Sequence, residues 1–393
     1  MSLKRRDFIL FSGMSLASLQ TPLRADPPES LIPESWIELN PNRIKWNLSR
    51  IKKKVRVPIM AVIKANAYGH GLAEFGKALD RIGIGALMVC KIQEAVTLRR
   101  HGIKCPVFNF GPVIPENTPT LVKYNISQFL HSGDINKFSR RAEKLSARIN
   151  VHLHIDTGMH RMGFAHQNAL PLIKKAASLK GLSLTGLSTT LTEDPEFDKI
   201  QLRRLQAISN KAAALGIDPG LRHAASSAGI FGPESFHLDM VRPGIALYGC
   251  YPNERTRKED ALSLRPVLSF KSRVADIKTL KPGDTASYLR KYKARKKEKI
   301  AVIPVGYSDG YPLTGKAEVL IRGKRHPVLY TITANHMKAR LGMDSDVAPG
   351  DEVTLIGTQG KETITADELA EWAGVSNYKV LIGLESGIPR RVL

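Results

Sequence analysis

The chain has 393 residues, 42% of them hydrophobic, which suits a soluble globular protein with a real core and room for two domains. Lysine and arginine number 59 against 36 acidic residues, a formal charge of +23; the densest run, RKYKARKKEK (290–299), has one tyrosine and no nucleic-acid motif, so no nucleic-acid partner is expected and the charge reads as a solvated surface. The three cysteines, Cys90, Cys105 and Cys250, lie far apart without a CxxC pair, so no zinc or other metal site is expected and at least one thiol stays unpaired.

The first 25 residues differ in kind from the rest. A basic pair, Arg5 and Arg6, precedes an uncharged apolar stretch from Phe8 to Leu19, too short to span a bilayer as a stable helix. The pattern fits a twin-arginine-type signal peptide with cleavage near Ala25. It predicts an exported, periplasmic protein without stable membrane insertion.

From residue 58 short apolar runs alternate with helical patterns. The runs are PIMAVI (58–63), ALMV (86–89), PVFNF (106–110), ISQFL (126–130), INVHLHI (149–155), LSLTGL (182–187), LRHAA (221–225) and LDMVR (238–242). Between them lie amphipathic stretches such as DKIQLRRLQAISNKAAAL, where Ile200, Leu202, Leu205, Ile208 and Ala212 share a helical face. Eight such strands with helices between them predict a parallel (β/α)8, TIM-like barrel over 36–264. A doubly wound open sheet is the alternative, but the GxGxxG expected after its first strand is absent.

After residue 264 the texture turns to strands broken by Gly-Asp, Gly-Lys and Pro-Gly turns, which predicts a mainly β domain over 265–393. The strand near 36–40 is a candidate to join it. One helix stands out there, TADELAEWAG, with Thr365 as N-cap and Gly374 as stop.

Lys64 ends the first run, inside MAVIKANAYGHG (60–71). Barrel active sites sit at the C-terminal ends of the strands, and a lysine there is a candidate nucleophile toward a carbonyl group. A strand-end lysine alone is weak, since most such residues snorkel to the surface. The whole string, however, resembles the cofactor-lysine motif of the alanine racemase family. The resemblance continues in order through IDTGMHRMGF (155–164), HLDMVRPGIALYG (237–249), GDTASYLRKY (283–292), IPVGYSDGYP (303–312) and DEVTLIG (351–357).

That resemblance implies an amino-acid racemase dependent on pyridoxal 5'-phosphate, alanine its default substrate, acting as a homodimer with shared active sites in D-amino-acid supply for the cell wall. Lys64 would hold the cofactor and act as one base, and Tyr288, contributed by a second copy, as the other. Tyr68, Ser227 and the backbone at Gly244 and Ile245 would hold the phosphate, and Arg242 would face the pyridine nitrogen. Arg161 and Met337 would contact substrate. The sequence also departs from the family pattern. Thr190 stands where a histidine stacks on the ring, His154 where a lysine precedes DTGM, Lys338 where a carboxylate lies near the entrance, and Ser386 where a tyrosine grips the phosphate. Two readings remain: a racemase with a reshaped pocket, or a degenerate relative that binds pyridoxal phosphate or another ligand without turnover.

Overall fold

Each of the eight apolar runs becomes one member of a closed ring. In the computed structural model, which describes residues 32–329 and 332–393, parallel strands follow one another in chain order. They are Met60–Val62, Ala86–Val89, Val107–Asn109, Ile126–Leu130, Ile149–Asp156, Leu182–Ser188 and Leu221–His223. The eighth position is Val241, which bridges to Ile59 and shuts the ring; the amides of Met60 and Val62 donate to the carbonyls of Val241 and Pro243 at 2.9 and 2.8 Å. The strands read as unbroken apolar runs because both faces are covered; all five residues of Ile126–Leu130 are buried.

The helices begin and end where their residues dictate. Asp194 caps Pro195–Ala213 by accepting from the amides of Glu196 and Phe197 at 3.1 and 3.0 Å, with proline at the first helical position. Leu202, Leu205, Ile208 and Ala212 form its buried stripe. Each fully buried leucine or isoleucine contributes about 1.5–3 kcal/mol. Deeper in the ring Phe75, Phe129, Leu153 and Leu187 are completely enclosed.

A second sheet follows the barrel, in the order Lys324–Pro327, Glu318–Ile321, Glu352–Gln359, Leu268–Arg273, Ser35–Leu39 and Arg390–Val392. Its fifth strand precedes the barrel in sequence, and Trp36, Ile37 and Leu39 are buried by it. Both ends of the described chain are therefore woven into the C-terminal sheet. Beside it lies a three-stranded sheet of Asp276–Leu280, Glu298–Ile303 and Met337–Leu341, and a hairpin of Thr285–Ala286 with Tyr292–Lys293. Thr365 caps the helix Ala366–Ala373 through the Glu368 amide at 3.0 Å, and Gly374 closes it in the left-handed region. Residues 34–393 form one compact unit, consistent with the absence of any low-complexity linker. The signal segment expected over 1–25 lies outside the described residues. Among those residues, no helix is long and apolar enough to cross a membrane.

Candidate active site

Lys64 leaves the first strand and opens an unusual turn. Ala65, Asn66, Ala67 and Tyr68 all lie in the left-handed region, with φ of +53°, +54°, +51° and +50°, and Gly69 follows at +79°. For residues with a β-carbon this conformation costs about 1–2 kcal/mol each. The surroundings hold it. The Ala67, His70 and Gly71 amides donate to the carbonyls of Ile63, Ala67 and Asn66 at 3.0 Å each. The Asn66 side chain accepts from the Leu72 amide at 2.8 Å, and its own amide donates to Glu94 Oε1 at 3.1 Å. Gly69 is required twice over: its φ is positive, and a β-carbon there would lie 1.9 Å from the Leu381 carbonyl oxygen. The turn therefore projects Lys64 into the mouth of the ring and tucks Tyr68 beneath it.

Around Tyr68 the backbone forms a cradle. The amides of Gly244 and Ala246 both donate to Ser227 Oγ, at 2.9 and 3.2 Å, and Ile245 between them is buried. A β-carbon on Gly244 would approach the Tyr68 hydroxyl to 2.8 Å, so only glycine admits the phenol here. Burial pushes the Tyr68 pKa up, which keeps it a neutral donor. Two amides, a hydroxyl and a phenol converging at the late strands of a barrel suit a phosphate group.

Arg242 lies across the mouth, 5% exposed. Burial lowers its pKa to about 10, so it stays cationic at neutral pH. It donates to the carbonyls of Thr189 and Ala224 at 2.8 and 3.1 Å and to His223 Nδ1. Because a guanidinium only donates, His223 must accept at Nδ1 and carry its proton on Nε2, which lies 2.8 Å from His152 Nδ1. The two imidazoles thus relay the orientation of Arg242 into the barrel. Burial, with the Arg242 charge beside them, holds both pKa values down, that of His152 to about 3, so both rings are neutral. Sequence reasoning missed this relay. His152 lies in the run INVHLHI, but its partner His223 stands 71 positions away in another run, and nothing local links the two.

His154 and Thr190 meet in the same mouth. His154 contacts Ser188 Oγ through Nδ1 at 2.8 Å and Thr190 Oγ1 through Nε2 at 3.4 Å. Burial raises the Cys90 thiol pKa, the Lys64 and Arg161 cations lower it and the Glu94 carboxylate raises it, while Arg161 lines a small pocket with His154, Thr189 and Thr190. Arg161 is exposed, Cys90 is half-buried and only Cys250 of the three free thiols is buried. Among the described residues no group of His, Cys, Asp and Glu side chains is arranged to hold a metal ion.

Three expected site residues lie elsewhere. Ser386 is exposed and donates to Glu385 Oε1 at 3.1 Å, with no bond to Tyr68, Ser227 or the cradle amides. Met337 is fully buried on a strand paired with Glu298–Ile303. Tyr288 is 77% exposed at the tip of the hairpin, with Leu289 at 86% beside it. It lines a cavity of 530 Å³ with Lys291, Tyr307, Leu313, Ile332 and His336, and every residue of that wall comes from the β domain. The structure thus brings together Lys64, Tyr68, Ser227, Arg242, Gly244, Ile245 and Arg161, and leaves Tyr288 apart from them.

Comparison with known proteins adds to this geometry. The family model described as the alanine racemase N-terminal domain matches residues 39–252, and that of the alanine racemase C-terminal domain matches 267–392. An alanine racemase of Symbiobacterium thermophilum is 38% identical over 364 residues, covering 91% of this chain and 96% of that protein. The solved alanine racemase of Clostridium difficile 630 superposes with a TM-score of 0.87 at 32% identity, over 92% of this chain and 96% of that one. A histidine racemase from Leuconostoc mesenteroides superposes with a TM-score of 0.84 at 27% identity, over 93% and 99%.

Proposed function

The chain belongs to the alanine racemase family and is a pyridoxal-phosphate-dependent racemase, and from that premise we propose that it interconverts the L and D forms of a small amino acid, alanine first, with Lys64 and Tyr288 as its two bases. The observation that carries this reading is the meeting of Lys64, Arg242 and the Tyr68–Ser227–Gly244 cradle in one mouth. The residues fit the cofactor: two amides, a hydroxyl and a neutral phenol suit its phosphate, and a buried cation that only donates suits its pyridine nitrogen. When bound, the cofactor supplies an electron sink that acidifies the Cα–H of the amino acid.

The protein's own residues do the rest. Tyr68, Ser227 and the cradle amides anchor one end, and Arg242, fixed by His223 and His152, keeps a positive charge at the other. Arg161 and Lys64 set a cationic mouth that draws a substrate carboxylate. Lys64 takes or returns a proton on one face of Cα. Racemisation then needs a second proton carrier on the opposite face. Tyr288 is the candidate, and because it stands on the outside of the β domain, it serves the mouth of a second copy. Tyr307, Leu313 and Leu289, exposed around it, support a homodimer with shared sites.

Alanine is the first substrate to test, but the likeness to a histidine racemase keeps larger amino acids in view. A reading without turnover draws on Ser386, whose hydroxyl faces Glu385, and on Thr190, which faces His154. The twin-arginine-like segment at Arg5 and Arg6 supports export to the periplasm; replacing both with lysine should retain the protein in the cytoplasm.

The test is racemisation by the purified protein, followed as loss of circular dichroism across the L-amino acids. Borohydride reduction should fix a pyridoxyl label on the Lys64 peptide, and Lys64→Ala should abolish both label and turnover. A label that persists in Lys64→Ala overturns the assignment. Label without racemisation of any amino acid favours the non-catalytic reading.

A further inference from the structure

Resting on the two-base reading above, we propose that Lys338 is a positioning residue for Tyr288. Its ammonium grips Ser287 and fixes the turn from which the phenol projects.

The backbone around Tyr288 is strained on both sides. Ser287 has φ +70° and ψ 171°, a region that glycine alone adopts freely, and Leu289 and Arg290 follow at φ +56° and +53°. Packing does not hold the turn, because Tyr288 and Leu289 are among the most exposed large side chains of the molecule. Bonds inside the hairpin include Arg290 Nε to Thr285 Oγ1 at 3.0 Å, the Arg290 amide to the Ser287 carbonyl at 3.2 Å and the Lys291 amide to the Tyr288 carbonyl at 3.4 Å. Another arrives from a different sheet. Lys338 Nζ donates to Ser287 Oγ at 3.0 Å from a position 51 residues further along the chain.

Lys338 is well placed to act as an anchor. It sits in the strand Met337–Leu341, in register with Val302, and its carbonyl accepts from the Leu329 amide at 2.7 Å. The root of the side chain is therefore rigid. The side chain is half-buried, and among the described residues no carboxylate pairs with it. A half-buried ammonium that meets a hydroxyl and no acid is poorly explained as a surface ion pair. It is well explained as a strut between a fixed strand and a strained, exposed turn. Two-base chemistry requires that turn to hold the phenol against Cα, and a displacement of 1 Å costs about a hundredfold in rate.

The test compares Lys338→Met, Lys338→Arg, Ser287→Ala and the double variant Lys338→Met/Ser287→Ala. Lys338→Met should lower kcat about tenfold while KM and cofactor affinity stay within about twofold, since the substrate and cofactor contacts of the barrel are untouched. Lys338→Arg keeps a donor within reach of Ser287 and should restore most of the loss. Ser287→Ala should reproduce the loss, and the double variant should be no worse than either single change. Hydrogen exchange in the apoprotein supplies a readout independent of turnover: the amides of 286–291 should exchange faster in Lys338→Met. Additive losses in the double variant, no rescue by arginine, or unchanged exchange overturn the proposal. Full turnover in Tyr288→Phe sinks the two-base reading itself, a separate failure.

Discussion

Lys64 and Tyr288, the two proposed bases, both stand beside backbone in the left-handed region, but the two turns are held in opposite ways. The Lys64 turn is interior. The amides of Asn66, Ala67 and Gly69, the carbonyls of Ala65, Asn66 and Ala67 and the Asn66 side chain find partners, and Gly69 packs against the Leu381 carbonyl. The Tyr288 turn is exterior, its large side chains bare and its strain resisted by a few side-chain bonds. The barrel side of the site is thus held by interior contacts, whereas the β-domain turn is bare, as the proposed homodimer with shared sites would require of the half that a second copy completes.

The contrast breaks most readily at the glycine. Gly69→Ala should destabilise the protein by more than about 3 kcal/mol, because the new β-carbon meets a carbonyl at 1.9 Å in a left-handed turn. Leu289→Gly, in the other turn, should leave the fold of the protomer within about 1 kcal/mol of the parent, since it relieves strain and removes no packing within the chain. Chemical denaturation of both variants checks the pair; equal losses would erase the distinction.

Acid should attack the interior half. His70 is 1% exposed, and burial lowers its pKa from 6.5 to about 4. A lowered folded-state value means that the unfolded chain binds the proton first. The stability is thus complete above pH 6.5 and drains as the pH falls toward 4, by up to about 3 kcal/mol. Denaturation midpoints measured from about pH 7 down to about pH 5 should fall, and His70→Gln should flatten the decline. A profile as steep in the variant as in the parent assigns the loss to other groups.

Tyr288→Phe should cut turnover by about 10²-fold while cofactor binding survives, because the hydroxyl lost belongs to the exterior half. Parallel loss of cofactor and activity would merge the two halves. The smallest effect is expected from Thr190→His. A ring stack is worth about 0.5–1.5 kcal/mol, so cofactor affinity and turnover should change about two- to tenfold. If the mouth has been reshaped, turnover of the best substrate falls while that of alanine changes little, and this is the outcome we expect. A gain in cofactor affinity and alanine turnover together would mark decay from an ordinary alanine racemase instead.

The ring was readable in the chain because strands covered on both faces are mostly apolar, a mark that PIMAVI and ALMV carry fully and that INVHLHI and LRHAA carry around their histidines. The cap at Thr365 was readable for an equally local reason, since a side-chain oxygen satisfies an amide three residues on; the Asp194 cap obeys the same rule but was not picked out from the sequence. The left-handed run after Lys64 was not. Apart from Asn66, nothing in Ala65, Ala67 and Tyr68 asks for positive φ, and local bonds to Ile63 and Leu72 act together with distant partners such as Glu94 and Arg390 to hold the run. The relay from Arg242 through His223 to His152 was hidden for the same reason, being assembled across the ring. Ser386 shows the converse limit. A motif gave its position in sequence, but the neighbouring Glu385 carboxylate decides where its hydroxyl points.

Arg390 gives one of those distant contacts a meaning in time. It lies in the final strand, which pairs with Ser35–Leu39, and its guanidinium donates to the Gly69 carbonyl at 3.3 and 3.0 Å. The segment that presents Lys64 is therefore clasped by residues that leave the ribosome more than three hundred positions later. While the barrel is being synthesised, its first strand and that turn exist without their fastener. The turn that presents Lys64 is thus fastened only once Arg390 has been made and its strand has paired with Ser35–Leu39.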